Sequence, residues 1–194
     1  NTATAVIASG AHLIDLADAR DYLAGFADAL DDAARANRVC AVTGASSTPT
    51  LSTCVARMLT EGWQAVETID ICITPGGRSE VGRAVIAAIL SYAGKPVPLW
   101  KDGQLGQTIG WRDARVVDIV GRGRRRVAAV ETYDAEYLGP RLKVGRRVSF
   151  AAGLESRFEQ WGIEMMAALR GYGWSGPLDR LSSVLLLLRK LTRI

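Results

Sequence analysis

The sequence predicts an α/β fold, because helix-like and strand-like segments alternate from its first residues onward. Residues 2–9 predict the end of an Ala-rich helix that stops at Gly10. The segment HLIDL (12–16) predicts a strand, 21–36 an amphipathic helix, and the apolar run VCAVT (39–43) a strand buried on both faces. This order is typical of a parallel sheet covered by helices.

Turn signals and apolar runs predict the elements that follow. Pro49 suits the first position of a helix that runs to about Thr60, and a strand is expected over 65–74. An apolar helix is expected at about 80–92, and Asp102-Gly103 indicates a hairpin. Further strands are expected at 115–120, 126–131 and 146–151, and helices at 154–169 and 177–194. Several strands close together in the chain favour an antiparallel or mixed sheet in this middle part.

The composition is that of an ordinary globular protein. Of 194 residues, 48% are hydrophobic and 23% charged, and the net charge is +4. One basic cluster contains Arg122, Arg124, Arg125 and Arg126. Because a nucleic-acid-binding surface is expected to be broader and interleaved with aromatics, we expect no nucleic acid and interpret this cluster as a solvated loop or an anion contact.

Cysteine and histidine usage argues against several kinds of site. Cys40, Cys54 and Cys72 form no CxxC pair, and we expect buried free thiols in a reducing, cytoplasmic compartment. With His12 as the single histidine, neither a zinc site nor a Ser-His-Asp triad is supported, and we expect His12 to be structural. The apolar run Val184–Leu188 is too short to span a bilayer.

Two strand-to-helix loops are candidate sites. TGASS (43–47) follows a predicted strand, at the position where α/β sheets bind ligands; a capped turn without a ligand is the alternative. Asp15 lies at the end of the preceding strand and would contact a ligand or cap the next helix. In PGGRSEVG (75–82), Gly77 would admit a ligand and Arg78 would pair with a carboxylate, or the loop is a tight turn with a surface arginine.

A third glycine-rich string, GYGWSG (171–176), matches GxGxxG literally. A dinucleotide fingerprint lies between a strand and a helix, whereas this string follows a predicted helix and precedes Pro177. We therefore expect a helix–helix joint there.

The strings GAHLIDLADARDYLAGF (10–26), VTGASSTPTLS (42–52) and ICITPGGRSEVGRAVIAAILSYAGKPVPLWKDG (71–103) resemble saccharopine dehydrogenase-like proteins. The resemblance implies a Rossmann-like parallel sheet that ends within residues 1–45. A second, catalytic or dimerisation-like α/β domain with a mixed sheet (46–151) and a helical return (152–194) would follow.

The same resemblance implies NADP- or NAD-dependent hydride transfer at a C–N or C–O centre of a small substrate. The cofactor would lie near Asp15, Leu16, Gly44, Ala45 and Ser46, and the substrate near Gly77 and Arg78. Family members carry a GxGxxG turn that nothing before Asn1 supplies, so the resemblance predicts a fragment that is itself inactive. No residue is identified as a catalytic acid or base.

Two other functions stay open. The leucines of 177–194 predict a homodimeric or other interaction module without activity, if that helix is exposed. Its basic residues also fit a peripheral attachment to anionic lipid.

Overall fold

The computed structural model of the chain describes residues 2–74, 83–121, 123–154 and 156–173. Helices and strands are both present within them, which confirms the predicted α/β class. The α-helices are α1 (Thr2–Ala8), α2 (Arg20–Ala36), α3 (Ser52–Leu59), α4 (Arg83–Tyr92), α5 (Asp134–Arg141) and α6 (Arg157–Gly171), and a π-helical turn (Ser47–Leu51) precedes α3. The strands are β1 (Leu13–Ile14), β2 (Ala41–Val42), β3 (Thr68–Ile73), β4 (Pro96–Lys101), β5 (Gln104–Ile109), β6 (Arg115–Ile119), β7 (Gly123–Ala129) and β8 (Arg147–Ala152).

The chain divides into two compact units that are each discontinuous in sequence. Apart from the undescribed residues, the first unit contains residues up to 69, 98–106 and 132–149, and the second contains 70–97, 107–131 and 150 onward. The predicted boundaries near 45 and 151 stay predictions.

A two-stranded parallel sheet opens the first unit. Leu13 pairs with Ala41 and Ile14 with Val42 in parallel register, and the N–H of Asp15 donates to the carbonyl of Val42 at 2.9 Å. Because α1 precedes β1 and α2 links β1 to β2, the predicted helix–strand–helix–strand order is confirmed.

One face of this sheet carries the helices. Leu13 and Ala41 pack on a core formed by Ala3, Ile7, Phe26, Leu30 and Ala34 of α1 and α2. Side chains alternate between the faces of a strand, so Ile14 and Val42 point the other way and are 71% and 40% exposed. The expectation that residues 39–43 are buried on both faces is therefore wrong.

The Asp102-Gly103 hairpin is confirmed between β4 and β5. Both residues have positive φ, 50° at Asp102 and 80° at Gly103, which matches the right-handed twist of the two flanking strands. In the first unit, the indole N–H of Trp100 on β4 donates to the carbonyl of Val144 at 2.8 Å.

A larger sheet has the strand order β5-β4-β8-β7-β6, with β3 also paired to β8. Antiparallel pairing joins β4 to β8, β8 to β7 and β7 to β6. The three strands expected at 115–120, 126–131 and 146–151 are thus present as β6, β7 and β8. Strand β7 begins at Gly123, earlier than expected, because Gly123 to Val127 pair with β6. Arg124 and Arg125 therefore lie on a strand, not in the expected loop.

The second unit has its own apolar core. Its members come from α4, β7, β8, α6 and the adjoining loops: Leu90, Ala93, Trp111, Ala128, Val130, Phe150, Ile163, Met166 and Ala167. Helix α6 begins at a side-chain cap, where the hydroxyl of Ser156 accepts from the N–H of Glu159. Since α6 runs to Gly171, a helix precedes the GYGWSG string as expected; residues 174–176 and 177–194 lie outside the described residues.

Candidate functional site

The candidate site of the first unit is the edge where β1 and β2 both end. Two parallel strands bring their carboxyl ends to one edge, and ligands of α/β sheets bind there. Asp15 follows β1 directly, and Thr43 and Gly44 follow β2. Four of the predicted residues, Asp15, Gly44, Ala45 and Ser46, are joined at this edge by hydrogen bonds.

Asp15 holds the two loops together. Its Oδ1 accepts from the hydroxyl of Thr43 at 2.7 Å, the N–H of Ala17 at 3.0 Å and the N–H of Gly44 at 3.2 Å. Its Oδ2 accepts from the hydroxyl of Tyr22 at 3.0 Å. Helix α2 has Ala19 at its N-cap, without a side-chain cap. The carboxylate thus ties the end of β1 to the end of β2 and to α2.

These contacts shift the pKa values of both partners. Partial burial acts to raise the pKa of Asp15, but the hydrogen bonds from Thr43, Ala17, Gly44 and Tyr22 outweigh it and hold that pKa below its usual value. Partial burial, with the hydrogen bond to Asp15, raises the pKa of Tyr22. Asp15 is therefore ionised and Tyr22 neutral near pH 7.

Gly44 is required by both its backbone and its surroundings. Its φ of +72° lies in the left-handed region, and a Cβ would lie 3.0 Å from Leu23 Cδ2 and 3.0 Å from Pro49 Cδ. Its carbonyl accepts from the hydroxyl of Thr50 at 2.6 Å. These contacts hold the turn after β2 in a compact conformation, with no space for a side chain at residue 44.

The backbone N–H groups of Gly44, Ala45 and Ser46 in this turn already donate hydrogen bonds within the protein. The N–H of Gly44 donates to Asp15 Oδ1, that of Ala45 to the Asp15 carbonyl at 2.9 Å and that of Ser46 to the Gly44 carbonyl at 2.7 Å. A phosphate group needs free amides, so this turn does not suit one. Leu16, in contrast, is 71% exposed and offers an apolar surface beside the edge.

Helix α5 contacts both α2, which follows β1, and α3, which follows β2. Arg20, at the start of α2, forms an ion pair with Glu136 of α5. The hydroxyl of Ser52, at the start of α3, donates to Oδ1 of Asp134, the first residue of α5. Both helices that leave the candidate edge are therefore attached to one short helix of the same unit.

Asp134 is the most unusual ionisable group of the first unit. It is fully buried, and its Oδ2 has no hydrogen-bond partner among the described residues. Burial raises the pKa of Asp134, against the opposing hydrogen bonds of Ser52 and Thr132. The hydroxyl of Thr53, next to Ser52 on α3, is also buried and has no partner in the part of the chain that the structure describes.

His12 has a structural contact. Its Nδ1 accepts from the N–H of Cys40 at 2.9 Å, between the residues that precede β1 and β2. Cys40 and Cys54 are exposed and Cys72 is half-buried, and all three are free thiols. The expectation of buried thiols is therefore wrong for Cys40 and Cys54, because each lies on a surface that the described helices leave open.

The last features to compare with the structure are the second candidate loop, metal-binding clusters and membrane-spanning helices. Gly77 and Arg78 lie outside the described residues. Within the described ranges, no cluster of three or more His, Cys, Asp or Glu is placed to hold a metal ion. No described helix combines the length and the apolar composition needed to cross a membrane.

Comparison with known proteins assigns no family. No protein-family model matches the chain, and no curated protein matches its sequence.

Sequence reasoning missed the partners that make this edge rigid. Thr43 is the first residue of the TGASS string, and its position beside Asp15 follows from the parallel pairing. Tyr22 was assigned only to the apolar face of α2, although its hydroxyl reaches Asp15. No sequence pattern marked Asp134 as a buried, hydrogen-bonded carboxylate, since its partner Ser52 is 82 positions away in the chain.

Proposed function

We propose that the chain is part of a cytoplasmic NAD(P)-dependent oxidoreductase of the saccharopine dehydrogenase-like kind, acting on a small substrate at a C–N or C–O centre. The observation that carries the proposal is the parallel β1–β2 pair with Asp15 and Gly44 at its carboxyl edge. In nucleotide-binding α/β sheets, too, the loops that contact the ligand follow the carboxyl ends of parallel strands. The exposed free thiols of Cys40 and Cys54 support a reducing compartment.

The edge fits the nicotinamide half of such a cofactor better than its phosphates. The amides of Gly44, Ala45 and Ser46 are internally bonded, whereas the exposed side chain of Leu16 can pack on a flat ring. When bound, the nicotinamide would supply the hydride. Leu16 would contact the ring, and the Asp15 network would hold both loops in position.

Fluorescence of NADPH tests the proposal directly. Titrating the chain into NADPH should give a weak, saturable change in emission, because the amides of Gly44, Ala45 and Ser46 are already bonded within the protein and cannot bind the phosphates. Leu16→Asp should weaken binding about tenfold, through loss of the apolar contact and repulsion of the anionic cofactor. Leu59→Asp is the matched control, since Leu59 is 62% exposed on α3 of the same unit.

The outcomes are distinct. Binding that Leu16→Asp weakens and Leu59→Asp preserves supports the proposal. Binding that both variants preserve places the cofactor elsewhere and contradicts it, as does an emission that stays unchanged at millimolar protein.

A non-catalytic interaction module is the second candidate, and one observation favours it. Ile14, Leu16 and Val42 are exposed apolar residues at neighbouring positions of β1 and β2. Sedimentation equilibrium would then give a homodimer that Ile14→Lys dissociates, with no response to NADPH in either protein.

A further inference from the structure

Helix α6 carries apolar side chains on two opposite faces. One face packs in the core of the second unit, through residues such as Ile163 and Ala167. The opposite face, with the C-cap residue, carries four exposed apolar residues that recur four, four and three positions apart, as on one side of an α-helix. These residues, called here the outer stripe, are Trp161 (64% exposed), Met165 (43%), Leu169 (46%) and Tyr172 (89%). A helix that is apolar on both faces is expected to be covered on both.

The chain leaves α6 at the end of the outer stripe. Tyr172 is the C-cap of α6, and Gly173 follows with φ +90°, the left-handed conformation in which many helices end. The sequence then reaches Pro177, which suits the first position of another helix. A connection as short as residues 173–176 is typical of two antiparallel helices that form a hairpin.

The sequence after Pro177 matches the spacing of the outer stripe in reverse. Residues 177–194 predict a helix with leucines at 178, 181, 185 and 188, and these recur three, four and three positions apart. A hairpin centred on Ser175 would place each of these leucines opposite one residue of the stripe. Three pairs are equidistant from Ser175 in the chain: Tyr172 with Leu178, Leu169 with Leu181, and Met165 with Leu185. The fourth pair, Trp161 with Leu188, departs from this register by one residue.

The segment is also long enough to cover the stripe. At 1.5 Å per residue, a helix over 177–194 would be about 27 Å long, whereas the stripe from Trp161 to Tyr172 is about 17 Å long.

We propose that residues 177–194 form a helix that packs antiparallel on the outer stripe of α6, with its leucines in this register. Both apolar surfaces leave water when they meet, which favours the pairing. The occupant of the outer stripe is thus the chain itself, and the leucines of 177–194 belong to the second unit, not to a homodimer contact or a lipid surface. This inference does not rest on the proposed function.

Disulfide trapping in the full chain tests the register. The test pair combines Met165→Cys with Leu185→Cys, in a chain whose three native cysteines are replaced by serine. The control pair combines Met165→Cys with Ser183→Cys, because two residues along a helix the side chain faces another direction. In dilute protein under mild oxidation, the test pair should form an intramolecular disulfide at least about tenfold faster than the control, since the bond requires Cα atoms about 4.4–6.8 Å apart. Mass spectrometry of proteolytic peptides identifies the bond.

The unmodified chain provides an independent measurement that no variant has to survive. A nuclear Overhauser contact should join the ε-methyl group of Met165 to a δ-methyl group of Leu185. The variants Met165→Leu and Leu185→Met serve only to assign the two signals.

Four results would overturn the proposal. A disulfide between two chains in the test pair means that a second copy covers the outer stripe. Equal rates in the test and control pairs, or no disulfide in either, mean that the segment has no fixed register on α6. Absence of the methyl contact in the unmodified chain means the same. Cosedimentation with phosphatidylserine vesicles that Leu185→Asp abolishes means that the leucines face lipid.

Discussion

The hydroxyl of Ser52 donates a hydrogen bond to Oδ1 of Asp134, joining the first turn of α3 to the first turn of α5. The other carboxylate oxygen of Asp134 is buried and accepts no hydrogen bond from any described residue. This contact, together with the Arg20–Glu136 pair, fixes the helices that leave the β1–β2 edge. The candidate site is thus supported by residues far from it in sequence.

Asp134 should make stability fall as pH rises. Burial raises its pKa above the ordinary 3.8, so between 3.8 and the raised value the folded state keeps a proton that the unfolded state has released. The free energy of unfolding therefore decreases with rising pH through that window. Urea titrations at a series of pH values should show that Asp134→Asn lacks this decrease. Asp32→Asn, at an exposed position of α2, should retain it; an identical pH slope in Asp134→Asn and the parent would contradict the assignment.

Asp15 should act in the opposite direction. Its pKa is below 3.8 in the folded chain, so its stabilising contribution is complete above 3.8 and is lost as pH falls through the lowered value. A double-mutant cycle of Asp15→Asn and Tyr22→Phe, measured by urea unfolding at pH 7, should give a coupling of about 1 kcal/mol. Repeating the cycle at a pH below the lowered value should abolish the coupling. Independent, additive effects at pH 7 would show that the two side chains do not interact.

Gly44→Ala should destabilise the first unit more than Gly62→Ala. Both glycines have positive φ, +72° and +78°, but a Cβ at Gly62 meets open space while one at Gly44 meets Leu23 and Pro49. Backbone strain alone should make Gly62→Ala unfavourable by about 1 kcal/mol. Crowding should raise the effect of Gly44→Ala to about 2–3 kcal/mol. Thermal and urea unfolding measure both, and equal losses would mean that the turn has room to relax.

Gly139 should not tolerate a methyl group. A Cβ there would overlap the indole ring of Trp100, so Gly139→Ala should lower the free energy of unfolding by about 2 kcal/mol or more. Gly25 of α2 is the control, because a Cβ there meets nothing within 4 Å. Gly25→Ala should raise stability by about 0.5–1 kcal/mol, as alanine does inside helices. A neutral Gly139→Ala would place Trp100 elsewhere.

The local patterns of the sequence predicted most of the elements. Apolar periodicity predicted α2, strand-like runs predicted β1 and β2, and Asp102-Gly103 predicted the β4–β5 hairpin. Helix α5 was missed because its sequence, DAEYLGPR, contains Gly139 and Pro140, which oppose helix formation locally. Its packing in the first unit outweighs that preference.

Contacts between distant segments could not be predicted from one sequence. Periodicity identifies which face of an element is apolar, but not which element covers it. Val42 was therefore expected to be buried and is exposed, while Asp134 carries no pattern that marks it as fully buried. The edge residues Asp15 and Gly44 were predictable because strand ends have a fixed place in parallel sheets.

The most direct test of the central proposal is a ¹H–¹⁵N chemical-shift map of the chain titrated with the two halves of the cofactor. Reduced nicotinamide mononucleotide should perturb the amides of Leu16, Ala45 and Ser46 saturably. The adenine half, 2′,5′-ADP, should leave them unchanged. If the nicotinamide half perturbs none of these amides, or both halves perturb them equally, the β1–β2 edge is not a nicotinamide site.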